Sequence, residues 1–427
     1  MKIAYQYRLK PTYEQRRLMS RWLALLRYQY NWLLAERFDW WEMNRTSVNA
    51  CPLVCSIAEP REQPDYYSQK RSLVQLKQER PGYGQIYSQV LQDLVKRVKQ
   101  AFDRFIKGDK NGKRSGKPRF KGKHRYRTFT YPQGSLDWVK GNRVRLPKIG
   151  WVRFVRHRPL PEGFSVKTVS ISQKADGWYV TFSLENKSVP EQPAVDIEPT
   201  EANSIGVDAG LEYFIACSDG QTKVPPKFYR QAEEKLGRLQ AKRDARSKGS
   251  KPRRKLNARI AKLHQRIARQ RKQWHFETAN ELLEKADVIF VEDLKVANLS
   301  RRNHPKQAED GTFLPNGQSA KSGLNKSFAD AGIAQFLHEI LPFKAANAGK
   351  KVVKVNPAGT SQHCAICLNR VPKGLSDRWH DCPNCGASMP RDVNSGLLIK
   401  KVGLDVASLK NAKPRSKRSG RRSPRPT

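Results

Sequence analysis

The apolar residues of this chain change period several times, and each change announces a different kind of element. Thr12 followed by Gln15 forms a capping-box pattern. Beyond it Leu18, Trp22, Leu25, Leu26, Leu33 and Leu34 keep a helical stripe. A second helix is predicted over "IYSQVLQDLVKRVKQAFDRFIKG", Ile86 to Gly108, with Val90, Leu94, Val98, Phe102 and Phe105 on one face. From about 129 to 184 the period shortens to two. "RVRLPKIGWVRFVRH" and "SVKTVSISQKADGWYVTFSLE" alternate between Gly, Pro and Asp-Gly turns, as a small antiparallel β unit does. "SVPEQPAVDIEPTEAN" then reads as a domain boundary. Past it lie a strand ending at Asp208 with a second strand returning, a buried-strand run "ADVIFVEDL" and a third run "KKVVKVNP". "DVNSGLLIKKVG" suits a helix beginning near Asp392.

Charge changes the picture more than any other total. The 427 residues carry 82 Lys plus Arg against 39 Asp plus Glu, a formal +43, which self-repels unless a polyanion neutralises it. Nucleic acid is the usual polyanion, with an anionic membrane surface as the rival. No apolar run is long enough to span a bilayer, and "MKIAYQYRLKPTYEQ" lacks the apolar core of a signal peptide, so a soluble intracellular protein is expected. The cations are concentrated. Between Arg230 and Lys272 there are 17 of them against three acids, around a seam of Leu236, Leu239, Leu256, Ile260, Leu263 and Ile267 interrupted by "SKGSKP". That pattern predicts a helical hairpin with a basic outer surface for a polyanion. The loop "GDKNGKRSGKPRFKGKHRYR" sets Phe120 and Tyr126 among cations, which suits phosphate binding with base stacking. The last stretch, "KNAKPRSKRSGRRSPRPT", is expected to be disordered.

Seven cysteines is an odd number, and four of them form paired CxxC units, which argues for metal in a reducing compartment rather than a disulfide framework. Cys364-x2-Cys367-x14-Cys382-x2-Cys385 offers four thiolates for a closed tetrahedral zinc site, with His363 and His380 as possible substitutes. A redox pair is the alternative for a single CxxC. Cys51-x3-Cys55 is either a second metal half-site or, with Cys217, a set of idle thiols.

Asp208, Glu292 and Asp392 each sit at the end of an apolar element, where one acid alone is ordinarily a cap. Three on one sheet edge would repel unless a divalent cation joined them, and two magnesium ions so held can hydrolyse a phosphodiester.

Together "RLKPTYEQRRLMSRWLALLRYQYNWLL", "GVDAGL", "VEDLKVANL" and "TSQHCAICLN…CPNCGASMPRDVNSGLLI" resemble TnpB, the RNA-guided endonuclease of bacterial and archaeal insertion sequences and a relative of type V CRISPR effectors. The resemblance covers nearly the whole chain in the family's order. Met389-Pro390 stands where His-Asp is common, and Leu368 where glycine is frequent. It implies an α+β multidomain protein. A β-barrel wedge domain would take 1–10 and 118–196, and a helical recognition domain 11–117. A split RuvC nuclease domain of RNase H-like fold would take 197–360 and 388–405, including a basic hairpin at 229–286. A zinc ribbon would occupy 361–387 and a basic tail 406–427. Asp208, Glu292 and Asp392 would hold two catalytic magnesium ions, and Cys364, Cys367, Cys382 and Cys385 one structural zinc. The implied activity is cleavage of double-stranded DNA beside a short adjacent motif, with a guide RNA drawn from the transposon end. Alternatives are a compact type V CRISPR effector and a guided repressor without cleavage; a DDE transposase fits poorly because the glutamate here comes second. A monomer in the cytoplasm, associated with the nucleoid and not with membrane, is expected.

Overall fold

The capping box at Thr12 forms in both directions: Gln15 N–H donates to Thr12 Oγ1 at 3.3 Å, and Thr12 N–H donates to Gln15 Oε1 at 3.1 Å. The structure is a computed structural model that describes residues 2–44, 62–109, 111–188, 196–374 and 376–407. Cys51, Cys55 and most of the basic tail therefore lie outside the described residues. The chain divides into two units, residues 1–191 and 192–427.

The first unit runs β1 (Lys2–Lys10), α1 (Tyr13–Asn44), α2 (Tyr66–Glu79), α3 (Ser88–Ile106), β2 (Thr128–Tyr131), β3 (Val139–Lys140), β4 (Arg143–Leu146), β5 (Gly150–Val155), β6 (Ser165–Lys174) and β7 (Gly177–Glu185). Its strands form one antiparallel sheet in the order β2-β6-β7-β1-β5-β4-β3. The expected barrel is thus a half-barrel, its edge strands β2 and β3 unpaired with each other. The physical reason is visible at both edges. β3 has two residues, both spent pairing with β4, and β2 is covered by α3, whose Arg97 donates to Thr128 O at 3.2 Å. The helical stripes fulfil their pattern: Trp22, Leu26, Leu33, Leu34, Val90, Leu94, Val98 and Phe102 are buried in one cluster with strand residues such as Phe129 and Val180. Tyr126 is not a free stacking platform. It turns inward, its ring 5.9 Å from that of Tyr30, while Phe120 remains more than half exposed.

The second unit runs β8 (Ser204–Asp208), β9 (Ile215–Cys217), β10 (Thr222–Lys223), α4 (Phe228–Asp244), α5 (Lys251–Lys285), β11 (Val288–Glu292), α6 (Val296–Leu299), β12 (Lys306–Gln307), β13 (Phe313–Leu314), α7 (Gln318–Ala331), α8 (Ile333–Gln335), a π-helical turn (Phe336–Ile340), α9 (Leu341–Asn347), β14 (Lys351–Val355), β15 (Trp379–Asp381), β16 (Ser388–Pro390) and α10 (Arg391–Gly403). Its main sheet has the order β10-β9-β8-β11-β14, with β8, β11 and β14 parallel. Strand alternation splits the core between the two faces. Ile205, Val207, Ile289 and Val291 pack with Leu282, Phe336 and Leu341 on one side; Val288, Phe290 and Val355 pack with Ile399 of α10 on the other. The basic hairpin α4–α5 has its own narrow seam of Leu236, Ile260 and Ile267.

Candidate active site and cysteine knuckle

Parallel register sets the first two carboxylates side by side. Gly206 pairs with Phe290 and Val207 with Val291, so Asp208 and Glu292 follow on adjacent strand ends. Neighbouring strands lie about 4.8 Å apart. Gly206 and Asp208 share the sheet face that α10 covers, two residues apart. The helix comes so close there that a Cβ on Gly206 would lie 2.1 Å from Gly396 O and 2.6 Å from Lys400 N. Glycine is therefore required by backbone approach, not by its φ. At the far end of α10, a Cβ on Gly403 would lie 2.2 Å from the Phe290 ring. Asp392 stands one turn before Gly396, so the Gly206–Gly396 crossing carries it toward Asp208.

The electrostatics record that meeting. Asp208 holds its proton well above the usual carboxylate range, first through burial and then through the charges of Glu292 and Asp392; Arg391 and the Ala209 N–H oppose the shift. Burial also raises Glu292, which is 9% exposed, against a hydrogen bond donated by the Thr360 hydroxyl. Asp392 is raised by burial, with Arg378 and Arg391 pulling it back and Glu212 adding to the rise. Three carboxylates with no sulfur or imidazole among them suit a hard divalent cation. Their oxygens are less tightly gathered than the thiols described next.

The four sulfurs of Cys364, Cys367, Cys382 and Cys385 all lie within 4.8 Å of one another, and they are the only set of three or more such ligands so gathered among the described residues. Cys364 Sγ is 3.6 Å from Cys385 Sγ, and Cys367 Sγ 3.5 Å from Cys382 Sγ. A tetrahedron with metal–sulfur bonds of about 2.3 Å has edges of about 3.8 Å, whereas a disulfide needs about 2.05 Å. The donor set fits a metal and not a redox bridge. The Asn369 N–H pulls Cys367 down to about 6, into thiolate form at neutral pH. Lys373 Nζ is buried without a hydrogen-bond partner, and its pKa is lowered by burial and by Arg391, with Cys364 and Cys382 opposing the shift. A buried ammonium beside thiolates suits a cluster that keeps net negative charge. Neither histidine is a ligand: His363 Nδ1 is 2.8 Å from Gly359 O, and His380 is buried outside the set. Leu368 adopts φ +61°, the left-handed region. That explains why a glycine suits this place.

Sequence reasoning missed Thr360, Arg378 and Asn394. Their signal was a polar residue inside an apolar or metal-binding motif. It also misread Arg253, whose guanidinium donates to Arg243 O at 2.9 Å and Arg246 O at 2.7 Å and pairs with Asp244 at 3.2 Å. Arg253 pins the hairpin turn. Arg254, Lys255, Arg259 and Lys262 are exposed.

Residues 187–303 match the family OrfB_IS605, described as "Probable transposase", residues 335–399 the Cas12f1-like TNB domain, and residues 1–46 the helix-turn-helix domain HTH_OrfB_IS605. The chain is 29% identical over 407 residues to InsQ of Escherichia coli K12, a protein provisionally named an RNA-guided DNA endonuclease, covering 94% of this chain and 92% of that one. A Streptomyces pristinaespiralis protein with the same provisional activity in its name is 27% identical, covering 96% and 91%. Over most of its length the chain is therefore similar to proteins of the TnpB kind. A more distant TnpB-like protein, L79 of Acanthamoeba polyphaga mimivirus, is 28% identical over 216 residues, covering 48% of this chain and 38% of that one. Among solved structures, a Cas12f1–sgRNA–target DNA complex covers 95% of this chain and all of its own at 14% identity with a TM-score of 0.33.

Proposed function

We propose that this chain is an RNA-guided DNA endonuclease whose RuvC-like site consists of Asp208, Glu292 and Asp392, with two magnesium ions as cofactor. What supports the reading is the placement of Asp208 and Glu292 on adjacent strand ends under α10, which carries Asp392, in a chain of formal charge +43. Bound magnesium would supply activation of water and charge neutralisation at the scissile phosphate. The chain's own residues do the rest. Asp208 feels the charges of both other acids and accepts from the Ala209 N–H. Thr360 fixes the carboxylate of Glu292. Arg378, paired with Glu212 at 2.8 Å, and Arg391, which donates to Gly374 O at 2.9 Å, lie near enough to Asp392 to hold down its pKa, and their remaining N–H groups suit the oxygens of a phosphate. Cys364, Cys367, Cys382 and Cys385 hold one zinc, structural because four thiolates leave no open position.

The guide RNA comes from the transposon end, and base pairing reads the target while the N-terminal unit, with its wedge and recognition roles, reads the adjacent motif. The protein acts as a monomer at the nucleoid. Among the described residues no helix is long and apolar enough to cross a membrane. Sequencing the RNA that co-purifies with the protein, then cutting a plasmid matched to it in Mg2+, tests the reading; protein that carries no RNA, or RNA that directs no cut, overturns it. The hairpin α4–α5 contributes phosphate contacts through its exposed cations. Changing Arg254, Lys255, Arg259 and Lys262 together to glutamine should flatten the salt dependence of binding by roughly 0.9 log units per lost contact, equally for different targets. A changed motif preference with the wild-type slope would make the hairpin a sequence reader.

A further inference from the structure

The backbone from Gly359 to Ala365 touches both halves of the carboxylate site. Thr360 is 1% exposed, and its hydroxyl lies within reach of Glu292 Oε1 and of Pro357 O, the latter at 3.0 Å. The hydroxyl thus joins Glu292 to the turn at Pro357. Four residues on comes Cys364, after a turn closed by His363 Nδ1 on Gly359 O. On the other side stands Asn394, fully buried and two residues past Asp392. Its Nδ2 donates to His363 O and its Oδ1 accepts from the Ala365 N–H, each at 2.8 Å. One amide thus grips the chain immediately before and after Cys364. Lys401, two turns further along α10, donates to Ala365 O at 2.6 Å.

We infer that the cysteine knuckle is the positioning element of the carboxylate site, acting through Thr360 on Glu292 and through Asn394 on Asp392. The inference rests on the nuclease reading given above. Apolar packing of α10 on the sheet is non-directional, and the close glycine contacts at Gly396 and Gly403 lie past its first turn. Its first turn has no side-chain cap, since the N-cap is Pro390. The two bonds of Asn394 supply the missing reference point. That point is only as fixed as the backbone around Cys364, which the metal would clamp. Thr360 ties the same backbone to Glu292, so one clamp orients two of the three carboxylates.

Coupling of this kind is reciprocal in affinity: a cation on the carboxylates must raise the zinc affinity of the knuckle, a gain we assign to slower zinc release. The experiment uses guide-bound, zinc-loaded protein. Zinc release to a zinc-selective dye is followed with and without Mg2+, and the Mg2+ midpoint of plasmid cleavage is measured alongside. Mg2+ should slow zinc release in the wild type. Thr360→Val should raise the Mg2+ midpoint about tenfold, with zinc content and guided binding unchanged, and Thr360→Ser should restore it. Asn394→Ala should release zinc about tenfold faster and abolish the protection by Mg2+. A wild-type Mg2+ midpoint in Thr360→Val, or zinc release indifferent to Mg2+ in the wild type, overturns the inference. The release assay needs no cleavage, so a protein that cuts nothing yet shows Mg2+-slowed zinc release refutes the nuclease reading and leaves the coupling standing.

Discussion

The cysteine knuckle and the carboxylate site both crowd acidic side chains together, yet they recruit them from opposite kinds of sequence. The four thiols come from 22 consecutive positions with almost no apolar core beneath them. The three carboxylates come from positions 208, 292 and 392, and a deep two-faced sheet brings them together. In the first case the ligands organise the chain. In the second the chain organises the ligands, and folding bears the cost of their mutual repulsion. Loss of a ligand should therefore have opposite consequences for stability at the two places.

The largest effect should fall on activity. Asp208→Ala, Glu292→Ala and Asp392→Ala should each lower cleavage on the order of 10³-fold or more, and a double variant should lose little further, because the acids act as a unit. Guided binding should persist in a gel-shift assay. A Glu292→Ala protein cutting at the wild-type rate would remove the carboxylates from the comparison. Next in size is Cys382→Ser, which should drop zinc from one to none per chain by elemental analysis and lower both melting temperature and activity, since the metal replaces a core. Folded, active protein without zinc would show that the thiols only happen to be neighbours.

The third test separates the two places by sign. The Asp208 carboxyl has a folded-state pKa raised above its unfolded value. Its contribution to stability is thus fully present below about pH 3.9 and is lost as pH rises through the folded value. In chelator at pH 8, Asp208→Asn should melt higher than the wild type by about 2–4 °C, and the gap should close toward pH 4. Calorimetry across that range reads it. Equal melting at pH 8 would mean that the acids do not strain the fold. The smallest effect is expected from Leu368→Gly, which relieves a left-handed leucine and should stabilise the zinc-loaded knuckle by about 1 kcal/mol, less the added freedom of the unfolded chain. A destabilised variant would show the Leu368 side chain to matter more than its backbone.

The contrast also explains what was legible in the sequence. Thiol spacing is local, so the knuckle could be read directly from CxxC pairs. Strand ends are visible as apolar runs halted by an acid, which made Asp208 and Glu292 candidates. Gly206 and Gly403 left no such trace: their need for a bare Cα arises from α10, some 190 residues away for Gly206 and from Phe290 more than 100 residues before Gly403. Arg253 looked like one cation in a run because charge patterns do not say which side chain meets the carbonyls ending α4. Tyr126 looked exposed for the same reason, although Tyr30 lies under it. Alternation foretold only an antiparallel β unit; the closed barrel was implied by the family resemblance, and the two-residue β3 leaves the sheet open.

The dependence of the site on α10 has a consequence in time. Asp392 follows Glu292 by 100 residues, and translation at about 5–20 residues per second puts about 5–20 s between their emergence. Throughout that interval β8 and β11 can pair, but the face bearing Gly206, Phe290 and two of the acids has no helix over it. If the three acids are the nuclease site proposed above, a ribosome-bound chain is unable to cut, and it presents an apolar sheet face that a chaperone or a neighbouring nascent chain can reach. Slow codons between 293 and 391 would lengthen that exposure without altering a single side chain.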